Sequence, residues 1–385
     1  MTVFKGETLK NFKSAESVCQ GHPDKIADIV SDAILDELLR KDPYTRSSIE
    51  TLITTGLVHV SGELSTDAYV DIPEIVRGTL IEIGYTKPEY GFDGYTAGVI
   101  TTISEQSPEL ALGLSGDKAG DTGIIIGYAT NETENLMPLA CNIANGITKK
   151  IDQLRKDDIV PFFRPDGKAI AVVEYENERP VRIDSLTVLV QHEPYVSENE
   201  LKETIIEKVI KEVVPEEFID NKTDIVINPI GRFIIGGPMA DTGLTGRKTI
   251  ADAYGTAAPS GGSAFSGKDP TKVDRSASYM ARWISKHIVS AGIANRCFVE
   301  LVYVIGTEYP VSIDIKTDTD INKEKLIKKV KEIFDFSPSG IINQLDLRRP
   351  IYKLTASYGH FGKSDEEITW EFINEKYLGE LKDVA

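Results

Sequence analysis

The chain has 385 residues, 41% of them hydrophobic, and carries 60 Asp and Glu against 43 Lys and Arg, a formal net charge of -17. Its length and apolar content supply two or three domains with large cores, while the acidic balance opposes nucleic acid and anionic membranes, whose non-specific affinity comes mainly from cations. No run reaches the roughly 18 apolar residues of a membrane span, and Met1-Thr2-Val3-Phe4-Lys5-Gly6 is neither a signal nor a transit peptide, so a cytoplasmic protein is expected.

From the N-terminus, Gly21-His22-Pro23-Asp24-Lys25 leads into a helix predicted from Pro23 to Arg40, with Ile26, Val30, Ala33, Ile34 and Leu38 on its apolar face. Asp24 and Asp28 fall one turn apart on the polar side, and Asp28 reads as a complement to the helix dipole. His22 stands at the positive helix end, where a ring N–H can meet an anionic or ribose oxygen; a lone histidine there is more often a satisfied structural group. Cys19, Cys141 and Cys297 are far apart and in no CxxC pair, which argues against disulfides and structural zinc and for a reducing compartment.

A strand pair followed by an amphipathic helix then occurs three times. Leu57 to Glu63, with a second strand beginning at Ala68, precedes Ile72, Ile75, Val76, Leu80 and Ile83. Ala171 to Tyr175 and Ile183 to Val190 precede Leu201, Ile205, Val209 and Val213; Phe298 to Ile305 and Val311 to Ile315 precede Leu326, Ile327, Val330 and Ile333. The three helices begin about 125 positions apart. The expected fold class is therefore α+β, with three similar sheet-plus-helix modules of approximate threefold symmetry at 12–108, 119–234 and 235–374.

Between the first two units, Glu109 to Gly120 is either a mobile lid or a surface connection. A strand over Ile124 to Tyr128 and a helix from Met137 to Arg155 follow, and Phe163 to Lys168 reads as a hairpin turn with charged ends. A helix from Ser276 to Ala291 puts His287 on its apolar face, a core position rather than a ligand. Leu345 to Pro350 and Thr355 to Gly362 read as packing and loop.

The stretch from Asn228 to Arg275 stands apart. From Arg232 to Arg282 it holds seven Arg or Lys against four Asp, among clustered glycines and without a long apolar run. Glycines admit backbone N–H groups close to phosphate oxygens, while Arg and Lys supply a fork and a movable point charge. Any one of these cations alone is an ordinary solvated loop charge; together they imply a polyphosphate ligand. Gly262 and Gly267-Lys268 almost spell a P-loop, but Asp269-Pro270 follows where Ser or Thr should hold magnesium, so a phosphate-binding loop of another kind is expected.

Gly21-His22-Pro23-Asp24-Lys25, Gly127-Tyr128-Ala129-Thr130-Asn131-Glu132-Thr133 and Gly261-Gly262-Ser263-Ala264-Phe265-Ser266-Gly267-Lys268-Asp269 together resemble the S-adenosylmethionine synthetases (methionine adenosyltransferases), in register from about Ser14 to Gly362. The resemblance implies attack of the methionine sulfur on C5′ of ATP, followed by hydrolysis of the expelled tripolyphosphate to pyrophosphate and phosphate. It implies catalytic roles for His22, Lys168, Arg247, Lys248 and Lys268. With these, Asp166, Gly167, Arg232, Phe233, Asp241 and Ala264 would contact ATP, and Glu63, Gln106, Asp121, Asp241 and Lys272 methionine. Asp24 and Asp274 would serve two magnesium ions, and Glu50 potassium. The family likeness also implies a homodimer with shared active sites, joined as a dimer of dimers. Leu110 to Ala119 is shorter than the lid of well-known bacterial members. Two alternatives stay open on the residues alone: a phosphotransferase that would release ADP, and a nucleotide sensor without turnover.

Overall fold

The computed structural model describes residues 11–107, 117–261 and 263–382. A strand, a long helix, a hairpin and a second helix recur in it three times; a return strand closes the first two repeats only, and the third has a short extra helix before its long one. The first repeat runs β1 (Asn11–Val18), α1 (Pro23–Lys41), the hairpin β2 (Arg46–Thr54) and β3 (Leu57–Ser65), α2 (Ile72–Ile83) and β4 (Gly98–Ser104). The second runs β5 (Gly123–Thr130), α3 (Leu139–Lys156), the hairpin β6 (Phe163–Glu176) and β7 (Arg179–His192), α4 (Glu198–Ile205) and β8 (Asp224–Ile227). The third runs β9 (Gly243–Leu244), a short α5 (Thr249–Asp252), α6 (Val273–Ser290), the hairpin β10 (Arg296–Tyr303) and β11 (Ser312–Thr317), and α7 (Lys323–Ile333), followed by α8 (Pro338–Gln344) and α9 (Glu375–Lys382).

The sheets have the orders β1-β6-β7-β8, β9-β2-β3-β4 and β5-β10-β11. Each opening strand therefore leaves its own repeat: β1 pairs antiparallel with β6, β5 with β10, and β9 with β2. The return strands β4 and β8 lie parallel to β3 and β7. The exchange passes from first repeat to second, second to third and third to first, so the units interlock. Its consequence for function is that the segment between β1 and α1 lies beside β6, and the loop after β9 lies beside α1.

α1 is held by His22, whose side chain accepts from the Asp24 N–H, with Pro23 at its first position, and it is buried on nearly every side. Ile26, Val30, Ile34 and Leu38 sit in the core of the first repeat, each contributing about 1.5–3 kcal/mol relative to exposure. A larger core joins the second and third repeats. Cys19, Cys141 and Cys297 are buried and free, and no helix among the described residues is long and apolar enough to cross a membrane.

Three expectations are corrected. No strand begins at Ala68: β3 already pairs with β2 and β4, and Asp42 draws the chain away by accepting from Thr66 Oγ1 at 2.8 Å and the Asp67 N–H at 3.1 Å. Phe163 to Lys168 is no turn but the start of β6, where a register shift between Phe163 and Gly167 accommodates the proline and glycine. The hairpin turns instead at Asn177 and Glu178, both with left-handed φ. Asp28 is no solvated dipole complement, being 1% exposed. His287 is a core residue as expected. Of the glycine-containing run, residues 108–116 lie outside the described residues, as does Gly262 of the near-P-loop.

Candidate active site

A first group forms at the start of α1. The turn after β1 is fixed to β6 by the Cys19 N–H on Gly167 O at 2.9 Å and the Gly21 N–H on Pro165 O at 3.2 Å. His22 Nδ1 accepts from the Asp24 N–H at 3.2 Å, which leaves the ring proton on Nε2. Burial and Lys248 push His22 down to about 3, so the ring is a neutral N–H donor near pH 7. Asp24 Oδ1 accepts from the Leu244 N–H at 3.1 Å and lies 3.7 Å from Arg247 Nη1; Oδ2 lies 2.5 Å from Lys248 Nζ. Burial opposes the Asp24 charge, but bonds from Lys248 and Leu244 outweigh it and hold the carboxyl below its usual range.

Asp166 enters from β6. Its Oδ2 accepts from the Gly237 N–H at 2.7 Å, and burial raises it to about 6. Lys168, two residues on, pairs with Glu16 of β1. The Phe233 N–H donates to His192 Nε2 at 3.2 Å, Arg232 donates to Pro194 O, and Asp241 is exposed. Arg247 is half exposed and donates to Thr242 O at 3.1 Å.

A second group forms where the 263–269 loop is zipped onto β2 by the Ser48–Lys268 bridge and the Ile49 N–H on Gly267 O at 3.1 Å. Lys268 Nζ lies 2.6 Å from Asp274 Oδ2 and 3.6 Å from Asp121 Oδ2, and also meets Ser263 Oγ. Asp274 Oδ1 is buried without a hydrogen-bond partner. Burial, then the neighbouring Asp274, raises Asp121. Lys272 is committed to buried Asp269 at 2.9 Å. Ser48 pairs with Glu63 as well as Lys268, so these two flank β2 roughly 10 Å apart. Glu50 and Glu63 are exposed, Gln106 is half-buried, and Ala264 packs against Gly246.

Among the described residues no hydrogen bond or ion pair joins the first group to the second. A cavity of about 510 Å3 lined by Tyr309, Pro310, Ile313 and Phe336 holds none of these side chains. The two groups share one character: ammonium groups backed by carboxylates, joined in the first by the Arg247 guanidinium and a neutral imidazole donor. Such a set can bind a polyanion and stabilise charge as it develops on a leaving group.

The donor set fits magnesium. Asp274 offers an unpartnered buried oxygen, and Asp24 a second hard carboxylate engaged by Lys248. No group of three His, Cys, Asp or Glu side chains able to hold a metal occurs among the described residues.

Sequence reasoning passed over Ser263, which donates to Asp274 at 2.7 Å, Asp269, which accepts the Ser47 N–H at 2.8 Å, and the salt bridge between Asp32 and Arg275 at 2.6 Å. A signal for Asp32 was available in the aspartates at 24, 28, 32 and 36, one per turn of α1.

The histidines give an expected pH response. His287 accepts the Asn374 N–H at Nε2 and bonds Trp283 O through Nδ1, both at 2.8 Å, and burial lowers it to about 4. Because the folded value lies below the unfolded one, near 6.5, its stability contribution is complete above pH 6.5 and is lost as pH falls toward 4. Urea unfolding between pH 7 and 4 should lose less stability in His287→Gln than in the unaltered chain.

Residues 10–108, 116–233 and 235–372 match the N-terminal, central and C-terminal domains of the S-adenosylmethionine synthetase family. The chain is 54% identical to an S-adenosylmethionine synthase of Aquifex aeolicus (strain VF5) over 378 residues, covering 98% of this chain and 100% of the relative. It is 51% identical to that of Pseudothermotoga lettingae, covering 95% and 97%, and 49% identical to that of Clostridium tetani (strain Massachusetts / E88), covering 98% and 100%.

Proposed function

This chain belongs to the S-adenosylmethionine synthetase family and is a methionine adenosyltransferase, and we propose from that premise a two-step reaction on ATP and L-methionine. The methionine sulfur attacks C5′ of ATP and expels tripolyphosphate, which is then hydrolysed to pyrophosphate and phosphate. The observation that carries this reading is the convergence of Arg247 and Lys248 on Asp24 beside the neutral His22.

A thioether sulfur is uncharged and needs no base, so the work lies in positioning and in stabilising the leaving triphosphate. His22 Nε2–H donates toward O5′ or the polyphosphate. Lys168, Arg247, Lys248 and Lys268 face the charge that grows on the phosphate oxygens, where stabilisation raises the rate rather than ground-state binding. Asp166, Gly167, Arg232, Phe233, Asp241 and Ala264 surround the nucleotide, and Glu63, Gln106, Asp121, Asp241 and Lys272 serve methionine. Lys272 would have to share its ammonium between Asp269 and that substrate. Asp24 and Asp274 would hold two magnesium ions, whose positive charge offsets that of the polyphosphate; Glu50, a single exposed carboxylate, would hold potassium.

In this reading the separation of the Lys268 group from the His22 group reflects a composite site, with each group completed by a second chain in a homodimer that pairs into a dimer of dimers. The cyclic exchange of β1, β5 and β9 supports an approximate threefold relation among the repeats. Three buried free thiols support a reducing, cytoplasmic setting.

Mass spectrometry of products after incubation with ATP, Mg2+ and K+, with and without methionine, tests the reading. Methionine-dependent S-adenosylmethionine with pyrophosphate and phosphate is expected. ADP would replace it with a phosphotransferase, and intact bound ATP with a sensor.

A further inference from the structure

α1 carries aspartates at 24, 28, 32 and 36, a stripe that on an ordinary amphipathic helix would face water. All four are buried, at 3%, 1%, 0% and 7% exposure. Each accepts backbone N–H groups from the third repeat or the segment after it. Asp24 takes Leu244 at 3.1 Å, Asp28 takes Gly246 at 2.9 Å, Asp32 takes Gly267 at 2.9 Å, and Asp36 takes both Tyr352 and Lys353 at 2.9 Å. Buried carboxylates are costly, and apolar side chains would pack a helix with less penalty, so packing alone does not account for the stripe.

The middle two rungs repeat one local pattern. Gly246 and Gly267 both have φ of 81°, a left-handed conformation suited to glycine. A Cβ at Gly267 would strike Ile49 O, and one at Gly246 the Ala264 side chain. The residue after Gly246 is Arg247, and the residue after Gly267 is Lys268. Twice, then, a carboxylate of α1 grips the N–H of a left-handed glycine whose successor is a cation of the site. Both grips measure 2.9 Å, the ordinary length of a well-formed N–H···O bond. Each carboxylate is in turn braced: Asp28 by Lys25 Nζ at 2.8 Å, and Asp32 by the two Arg275 Nη atoms at 2.6 and 2.8 Å.

We propose that Asp28 and Asp32 are positioning residues for the reaction, fixing the Gly246 and Gly267 peptides so that Arg247, Lys248 and Lys268 are aimed at the polyphosphate. The role of those cations rests on the function proposed above. Asp36 is the internal control: it is buried on the same stripe but holds Tyr352 and Lys353, to which no part in the reaction is assigned.

Residue-resolved hydrogen exchange on the intact protein is the first test, because it requires no variant and no turnover. Neither glycine lies in a helix or strand. Yet both amides should exchange at least about 100-fold more slowly than an unstructured chain. Rapid exchange at both would overturn the proposal whether or not the protein makes S-adenosylmethionine. Kinetics come second. Asp28→Asn should lower kcat at least tenfold with methionine KM within twofold, and should speed exchange at 244–248 more than elsewhere. Asp36→Asn should lower Tm and leave kcat within twofold. Equal kinetics in the two variants, with only stability lost, would reduce Asp28 to a structural group and sink the idea. If the unaltered protein forms no S-adenosylmethionine, the function fails, while exchange at Gly246 and Gly267 still decides whether the aspartates hold those peptides.

Discussion

Lys268→Met is expected to lower kcat for S-adenosylmethionine formation by about 100- to 1000-fold, equivalent to about 2.7–4 kcal/mol, the loss typical of one preorganised donor to a developing anion. Lys268 is the cation of the second group, 2.6 Å from Asp274 and 3.6 Å from Asp121, with a side chain only 15% exposed. Met preserves its length and apolar stem but removes the charge. Since the lost interaction strengthens only as the leaving group ionises, kcat and kcat/KM should fall together while methionine KM moves little. A stability change should accompany this. Asp274 Oδ1 already lacks a partner, and without Lys268 its Oδ2 keeps only Ser263, so a loss of about 1–3 kcal/mol is expected in urea. Lys268→Arg restores charge but not the compact ammonium geometry, and should recover only part of the rate. A Lys268→Met protein within tenfold of the unaltered kcat would remove Lys268 from the catalytic machinery.

The contrast between α2 and the 163–168 segment shows what the sequence made legible. Apolar spacing at Ile72, Ile75, Val76, Leu80 and Ile83 specifies a helix because its signal is local, and Asp71 and Gly84 cap it at either end. Phe163 to Lys168 carries equally local turn chemistry, yet β6 begins there. The pairing strands β1 and β7 come from residues 11–18 and 179–192, and the ladder they form outweighs the propensity of Pro165 and Gly167. Strand exchange among the repeats was not legible for the same reason: the two-residue β9 has no periodicity of its own. At the site, the cation-rich loop was conspicuous, because charge and glycine clustering are compositional. Which carboxylate faces which cation was not. Asp28 was read as a complement to the helix dipole on the polar side of α1, and only the packing of the third repeat over α1 reverses that reading.

Arg282→Met is expected to destabilise the protein by about 3–5 kcal/mol, the cost of breaking a buried ion pair from one side. Arg282 is fully buried in α6 and uses its whole fork. Nη1 donates to Tyr128 O at 2.8 Å and Leu136 O at 2.9 Å, Nη2 to Asn135 O at 2.8 Å, and Nε and Nη2 each reach Glu371 at 3.1 Å. It thereby joins α6, which begins beside Asp274, to the end of β5, the turn that follows it and the C-terminal segment. Met fills the volume but leaves three carbonyls and a carboxylate short of donors. Lys286 still reaches Glu371 Oε2 at 2.8 Å, so the charge is not wholly abandoned and the lower half of the range is favoured. Arg282→Lys should recover little, since one ammonium cannot span three carbonyls and Glu371 together. The acid response separates this account from simple loss of packing. Burial opposes the Glu371 charge, but Arg282 and Lys286 outweigh it and hold the carboxyl below its ordinary 4.5. Its stabilising contribution is therefore complete above pH 4.5 and lost as pH falls through the lower folded value. In Arg282→Met that loss should shrink, so urea midpoints of variant and unaltered protein should converge below pH 4.5. A constant difference between them across that range would assign the effect to packing instead.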